Sequence, residues 1–274
     1  MNLPEKGPKG KSGDVLAGIL VETRTRLAAL RLRQAELERA AAARPDPPSF
    51  LDALRTGRGL ALIAEVKRRS PSEGVIAARL DPAAHARSYA AAGARAVSVL
   101  TEPTRFGGSI GDLEAVVAGV SVPVLRKDFI VDEIQLVEAR AAGAAAVLLI
   151  VRALSSRELP ALLRAASALG LGTLVEAHSA LEVDVALEAG APVVGINSRD
   201  LSDLRVDPGA AWALISRVPA DRVAVAESGI ASAADAAAAA EAGADAVLVG
   251  SALSRSTAPA PLVSAIAGVP RRGR

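Results

Sequence analysis

The chain has 274 residues, a formal net charge of +2, and 51% hydrophobic residues of which few are aromatic (2% of the chain is Phe, Trp or Tyr). That charge is too mild, and basic residues too rarely interleaved with aromatic ones, to point to nucleic acid. The absence of cysteine excludes a disulfide framework, a thiolate metal site and a cysteine nucleophile, and two histidines argue against a histidine-based zinc site. A cysteine-free chain also fits a reducing compartment, so the cytoplasm is the expected location.

Residues 1–13 are rich in Gly, Pro and Lys and read as a disordered basic tail. Lys6, Lys9 and Lys11 ahead of Val15–Val21 faintly resemble a secretion signal, but the apolar run breaks at Glu22 and Arg24 without a small-residue cleavage site. A solvated tail is the preferred reading. The uncharged run from Ala141 to Val151 is far short of the roughly 18 residues of a membrane span. Helical spacing of Leu16, Ile19, Leu20, Leu27, Leu30 and Leu37 predicts a helical extension over residues 14–43. The prolines of "RPDPPS" end it, and a short helix over Phe50–Arg55 precedes the first strand.

From there the chain repeats. "AAGARAVSVL", "AAGAAAVLLI", "EAGAPVVGIN" and "EAGADAVLVG" each pair an Ala-Gly-Ala helix stop with a buried strand, around Gly93, Gly143, Gly190 and Gly243. "LALIAEV", "VPVLRKD", "GTLVEAH" and "RVAVAES" lie midway between them. Eight strands alternating with helices predict an α/β chain folded as a (β/α)8 (TIM) barrel, one unit over 14–274 including the N-terminal helical extension. A doubly wound open sheet is the runner-up; it does not require four near-equal quarters, and no G-x-G-x-x-G follows the first strand.

In such a barrel the C-terminal strand ends form the active site. Alternation places Glu65 and Lys67 on one side of strand one, and Lys127 on the same side as Leu125 in strand three. Strand five ends in Glu176, strand six offers Asn197 and Arg199, and strand seven ends in Glu227. One such residue could be a rim ion pair; six charged ones at corresponding ends suit proton transfer between mutually ionised groups. Ser228 and Gly229 after strand seven, and Gly250 and Ser251 after strand eight, are small residues suited to a phosphate at the strand seven and eight loops. A small phosphorylated substrate is therefore expected. His85 reads as a surface residue, His178 as a loop histidine beside the site, and Tyr89 and Trp212 as packing residues. Arg126 and Asp128 face away from Lys127, toward neighbouring helices.

"IAEVKRRSPSEG", "TEPTRFGGS", "PVLRKDFIVDEIQ", "LVEAH", "GINSRDL", "ESGI" and "VGSAL", in this order, resemble the indole-3-glycerol phosphate synthase family of tryptophan biosynthesis. The similarity runs from about Asp14 to Leu253. The resemblance implies a carboxy-lyase that closes a pyrrole ring on 1-(2-carboxyphenylamino)-1-deoxyribulose 5-phosphate, releasing carbon dioxide and water, with no metal or organic cofactor. It implies Lys127 as the general acid at the ketone oxygen and Glu176 as the general base of the dehydration. Lys67 is implied as a substrate-contacting second acid, Glu65 and Asn197 as positioning groups, and Arg199 and Glu227 as supporting residues. Ser70 would contact substrate from its loop, Phe129 and Leu148 would line the aromatic pocket, and Ser228, Gly229, Gly250 and Ser251 would hold phosphate. Phe106 is the other aromatic candidate near the ring. The implied partners are the substrate and other tryptophan-pathway enzymes, with no nucleic acid or membrane. Two other readings of the residues stand beside this one: a barrel aldolase using Lys127 as a Schiff-base nucleophile, and a non-catalytic phosphate-binding barrel. The pathway's sister isomerase family uses a cysteine base, which this chain lacks.

Overall fold

A computed structural model describes residues 15–200 and 205–273; the basic tail expected for residues 1–13 lies outside them. Eight parallel strands close into a barrel: β1 (Ala61–Val66), β2 (Ala96–Leu100), β3 (Val124–Lys127), β4 (Ala146–Ile150), β5 (Gly172–Ala177), β6 (Val193–Asn197), β7 (Val223–Glu227) and β8 (Ala246–Val249). Each strand pairs with the next in sequence, and β1 closes the ring by pairing with β8 as well as β2.

The repeated glycines explain why the quarters look alike. Gly93, Gly143, Gly190 and Gly243 all adopt positive φ, between 87° and 109°, where a side chain would be strained. In each quarter the glycine N–H bonds back three residues and the following N–H bonds back five, as Gly93 to Ala90 and Ala94 to Tyr89 illustrate. Helix termination is thus the same event four times, and it delivers the chain into the next strand in the same direction. At the other ends, the side chains of Asp81, Ser109, Asp132, Ser179 and Ser232 accept N–H groups of the first helical turn.

Two apolar layers follow from strand alternation. Leu62, Val97, Val124, Leu149 and Val175 pack outward against the helices, where alanines such as Ala139, Ala186 and Ala239 allow close approach. Ile63, Leu125, Leu174, Val225 and Leu248 fill the barrel interior. Two residues further along those same strands stand Glu65, Lys127, Glu176, Glu227 and Gly250, so the interior changes from dry to ionic within one step of the pleat.

The helical extension is split: α1 (Val15–Leu32) and α2 (Gln34–Ala42) meet at Arg33, where one continuous helix over 14–43 is expected from spacing. Leu27 and Leu30 of α1 pack against the same cluster as α2. Leu16, Ile19 and Leu20 of α1 join the barrel-interior cluster, while Leu37 and Ala41 of α2 pack on Ile134 and Ala141 of the helix after β3. The short α3 (Phe50–Arg55) falls where the sequence predicts it and buries Phe50 and Leu54 beneath the barrel. No described helix is long and apolar enough to cross a membrane.

Candidate active site

The C-terminal strand ends surround a cavity of about 370 Å³. All 14 residues expected at the site line it: Glu65, Lys67, Ser70, Lys127, Phe129, Leu148, Glu176, Asn197, Arg199, Glu227, Ser228, Gly229, Gly250 and Ser251. Its centre is Lys127, whose Nζ lies 3.4 Å from a carboxylate oxygen of Glu176 and 3.4 Å from one of Glu227. Burial works against the ammonium, but the Glu176, Glu227 and Glu65 carboxylates outweigh it and hold the lysine well above its ordinary range. A second ion pair joins Lys67 Nζ to Glu65 Oε1 at 3.1 Å. The end of β1 that carries it is tied down by Ser254, whose hydroxyl accepts the Lys67 N–H and donates to the Glu65 carbonyl.

The three glutamates differ. Burial raises the Glu176 carboxyl, yet the Lys127 charge, the His178 charge and a hydrogen bond from Asn197 prevail and hold it below the ordinary carboxylate range. Glu227 goes the other way, pushed up to about 8 by burial first, against the pull of Lys127, with Glu176 and Glu65 adding to the rise. Neither Glu227 oxygen has an aligned hydrogen bond. Two buried carboxyl groups whose proton affinities are pushed in opposite directions thus flank one ammonium, a separation that suits acid and base work in one pocket.

Asn197 is fixed by its neighbours at the rim of the pocket. Its Oδ1 accepts the Ser228 hydroxyl at 2.8 Å and the Arg199 N–H at 3.0 Å, which turns its amide nitrogen to Glu176. Ser228 reaches it from a left-handed backbone, φ 65°, the one positive φ outside glycine among the described residues. Such a conformation costs roughly 1–2 kcal/mol, a cost offset by the Asn197 bond it permits.

The glycine within β6, Gly195, and the one just after β8, Gly250, have a clearer reason than backbone access. A Cβ at Gly195 would overlap Glu227 Oε1, and one at Gly250 would overlap Glu65 Oε1 and lie 3.0 Å from Lys67 Nζ. Gly250, expected only as a phosphate contact, thus makes room for the Glu65–Lys67 pair. Where the sequence suggests a phosphate, the Ser251 hydroxyl donates to Glu73 Oε1 at 2.9 Å, Arg255 pairs with the other Glu73 oxygen, and Arg199 Nη2 lies 3.6 Å from Glu73 Oε1. The protein's own carboxylate sits where a phosphate is expected. Ser70, in the same loop, accepts the Glu73 N–H.

The apolar side combines Phe129, Leu148 and Ile150 with Phe106, which lies 6.1 Å from Phe129 between ring centroids. Sequence reasoning missed that Val15, Leu16 and Ile19 of α1 complete this wall, as well as Glu73 and Arg255 where a phosphate is expected. The amphipathic spacing of α1 revealed a buried face but not which surface covers it. His178 lies, as expected, in the loop after β5 beside the site, and its side chain is 3% exposed between Glu176 and Glu182. His85 is half-buried, edge-on to the fully buried Tyr89, and Trp212 packs in the helical layer.

Fold and mouth together define a (β/α)8-barrel enzyme whose strand ends gather lysines among buried glutamates. The model of the indole-3-glycerol phosphate synthase family matches residues 16–265. A protein of that name from Streptomyces coelicolor, indole-3-glycerol phosphate synthase 2, is 49% identical over 257 residues, covering 93% of this chain and 99% of its own. The indole-3-glycerol phosphate synthase of a Nocardioides strain is 50% identical, covering 93% and 97%. The chain belongs to the indole-3-glycerol phosphate synthase family and is a carboxy-lyase of tryptophan biosynthesis. Among solved structures, 3-hexulose-6-phosphate synthase from Salmonella typhimurium superposes with a TM-score of 0.61 at 20% identity, over 76% of this chain and 97% of that one. A tryptophan synthase chain from M. tuberculosis gives 0.60 at 18%, over 84% and 100%. Both share the fold.

Proposed function

We propose that this site converts 1-(2-carboxyphenylamino)-1-deoxyribulose 5-phosphate to indole-3-glycerol phosphate, with Lys127 as general acid and Glu176 as general base. The observation that carries the assignment is the position of Lys127, an ammonium held charged between Glu176 and Glu227 at 3.4 Å from each. From there it donates a proton to the substrate's ketone oxygen, and the carbon becomes electrophilic toward the aromatic ring. Loss of carbon dioxide restores the ring electrons, and Glu176 takes the proton whose departure accompanies loss of water. Lys67, held by Glu65, is the second cation that contacts substrate and supplies an acid. Asn197 aims Glu176, and Arg199 and Glu227 support the charge balance. The neighbouring carboxylates speak against a Schiff-base role for Lys127, since that nucleophile is a neutral amine.

Phosphate enters the seat of Ser228, Gly229, Gly250 and Ser251, taking over from Glu73 the Ser251 and Arg255 contacts, with Ser70 alongside. Phe129, Leu148 and the α1 side chains receive the aromatic ring. Every proton has a protein group assigned to it, so the scheme calls for no metal or organic cofactor. We read residues 14–274 as one barrel unit working in the cytoplasm, with other tryptophan-pathway enzymes as its partners. Incubating the purified protein with the carboxyphenylamino sugar phosphate and following indole fluorescence tests the scheme. Turnover that is lost in Lys127→Ala and in Glu176→Gln supports it. Near-normal turnover in either variant removes that residue from its role.

A further inference from the structure

Behind Glu176, on the side away from Lys127, lies a row of groups to which the scheme assigns nothing. His178 Nε2 is 3.4 Å from Glu176 Oε1, close but without an aligned hydrogen bond to it or to any other group. His178 Nδ1 is 3.3 Å from Glu182 Oε2, an oxygen that also accepts the His178 backbone N–H at 2.9 Å. Glu182 stands in the first turn of the helix Ala180–Glu188, so its own place is set by the helix start. Its other oxygen accepts Arg152 Nε at 3.2 Å and Nη2 at 3.0 Å, and Arg152 Nη1 continues to Asp200 at 3.3 Å. The row thus runs from the pocket to the rim as Glu176, His178, Glu182, Arg152 and Asp200, with negative and proton-bearing groups in alternation.

Each ring nitrogen of His178 faces a carboxylate oxygen. A ring nitrogen that carries a proton can donate toward the carboxylate it faces, so the ring can bridge Glu176 and Glu182. The site gives Glu176 other neighbours that compete for its orientation, with Lys127 from β3, Asn197 from β6 and Glu227 from β7 on its pocket side. Glu182 and, through it, Arg152 are the charged groups that face His178 from outside β5.

We infer that His178 is a positioning residue for the reaction, clamped by Glu182 through Nδ1 so that Nε2 aims Glu176 and keeps it in its proton-accepting form. This rests on the reading of Glu176 as the base. The arrangement follows the logic of a buried carboxylate that orients a histidine, with the histidine here serving a carboxylate base. The electrostatic influence of His178 on Glu176 is in the required direction, lowering its affinity for protons.

The test is the pH dependence of kcat in the full-length enzyme. His178→Gln keeps one N–H and loses the charge. It is expected to lower kcat roughly 10–100-fold, leave KM within about twofold, and move the acid limb of the profile to higher pH. Glu182→Gln still accepts the Nδ1 proton but weakens its hold, so its kcat falls less and the acid limb moves to higher pH by a smaller step. A histidine with only a packing role would cost activity or stability without moving either limb, and that result overturns the inference. If His178→Gln fails to fold, the Glu182→Gln profile decides: a moved limb supports the clamp, and unchanged kcat with unmoved limbs overturns it. Glu176→Gln separates the two levels. Its inactivity beside a wild-type profile for His178→Gln sinks the inference alone, whereas full activity of Glu176→Gln sinks the base assignment.

Discussion

Strand β3 carries an ionic cluster on each of its faces, and the two are finished differently. Outside the barrel, Arg126 donates to Thr101 at 3.2 Å, to the Gln135 carbonyl at 2.9 Å and to Asp128 at 3.1 Å, and pairs with Glu138 at 2.8 Å. Asp128 in turn accepts the Thr101 hydroxyl and the Phe129 N–H. Inside, one residue along, Lys127 stands 3.4 Å from each of two carboxylates, and Glu227 has no aligned hydrogen bond at all. Both clusters are buried, so desolvation penalises both. The outer one meets that cost with closed hydrogen bonds and holds the strand to its helix. The inner one leaves bonding capacity open, which is what a site that must exchange protons with a substrate requires.

The comparison breaks first at Lys127 and Arg126. Lys127→Ala is expected to lower kcat by about 10³–10⁴-fold or more with cooperative melting retained, as steady-state indole fluorescence and a thermal scan would measure. Arg126→Met should do the reverse: it leaves Asp128 and Glu138 buried without their cation, at about 3–5 kcal/mol of stability, while kcat per folded molecule stays near wild type. Urea titration beside an active-site-normalised rate checks it. Equal losses of rate in both variants would erase the distinction between the faces.

Glu227 sharpens the contrast through pH. Its carboxyl is raised from 4.5 to about 8 in the folded chain, so folding favours its protonated form. The stability it contributes is present below pH 4.5 and is lost as pH rises to about 8. Glu227→Gln cannot ionise, so it should match wild type in denaturant at pH 4 and exceed it progressively toward pH 8. Identical pH dependence of the two proteins would show that Glu227 ionises normally. A smaller effect is expected at Gly250, where Gly250→Ala must displace the Glu65–Lys67 pair. Overpacking of this kind costs about 1–3 kcal/mol, measurable in urea, with kcat reduced more than KM is raised.

Much of this was legible in the sequence, for reasons that are local. The Ala-Gly-Ala stops announce the barrel because each requires a left-handed residue at the same point of a 50-residue unit. Glu65, Lys127, Glu176 and Glu227 announce the mouth because a charge placed two residues after an interior Ile, Leu or Val has nowhere else to face. The part of α1 in the apolar wall, the Glu73 carboxylate beside Ser251 and the Glu182 contact with His178 were not read. Each depends on a contact between elements far apart in the chain or on a loop's path, and neither periodicity nor spacing encodes those. Arg33, where α1 and α2 part, was not read either: its neighbours suit a continuous helix, and their spacing does not mark the break.

Gly195 makes a last point about how such a mouth can be surveyed. Its missing side chain is the space in which a Glu227 oxygen rests. Truncating residues one by one toward alanine, the usual experimental survey, probes only what side chains add and passes over a function held by vacancy. At this position, as at Gly250, the informative substitution is an enlargement by a single methyl group. A map of the mouth made by shrinking its residues would record the charges and omit the room that allows them to coexist.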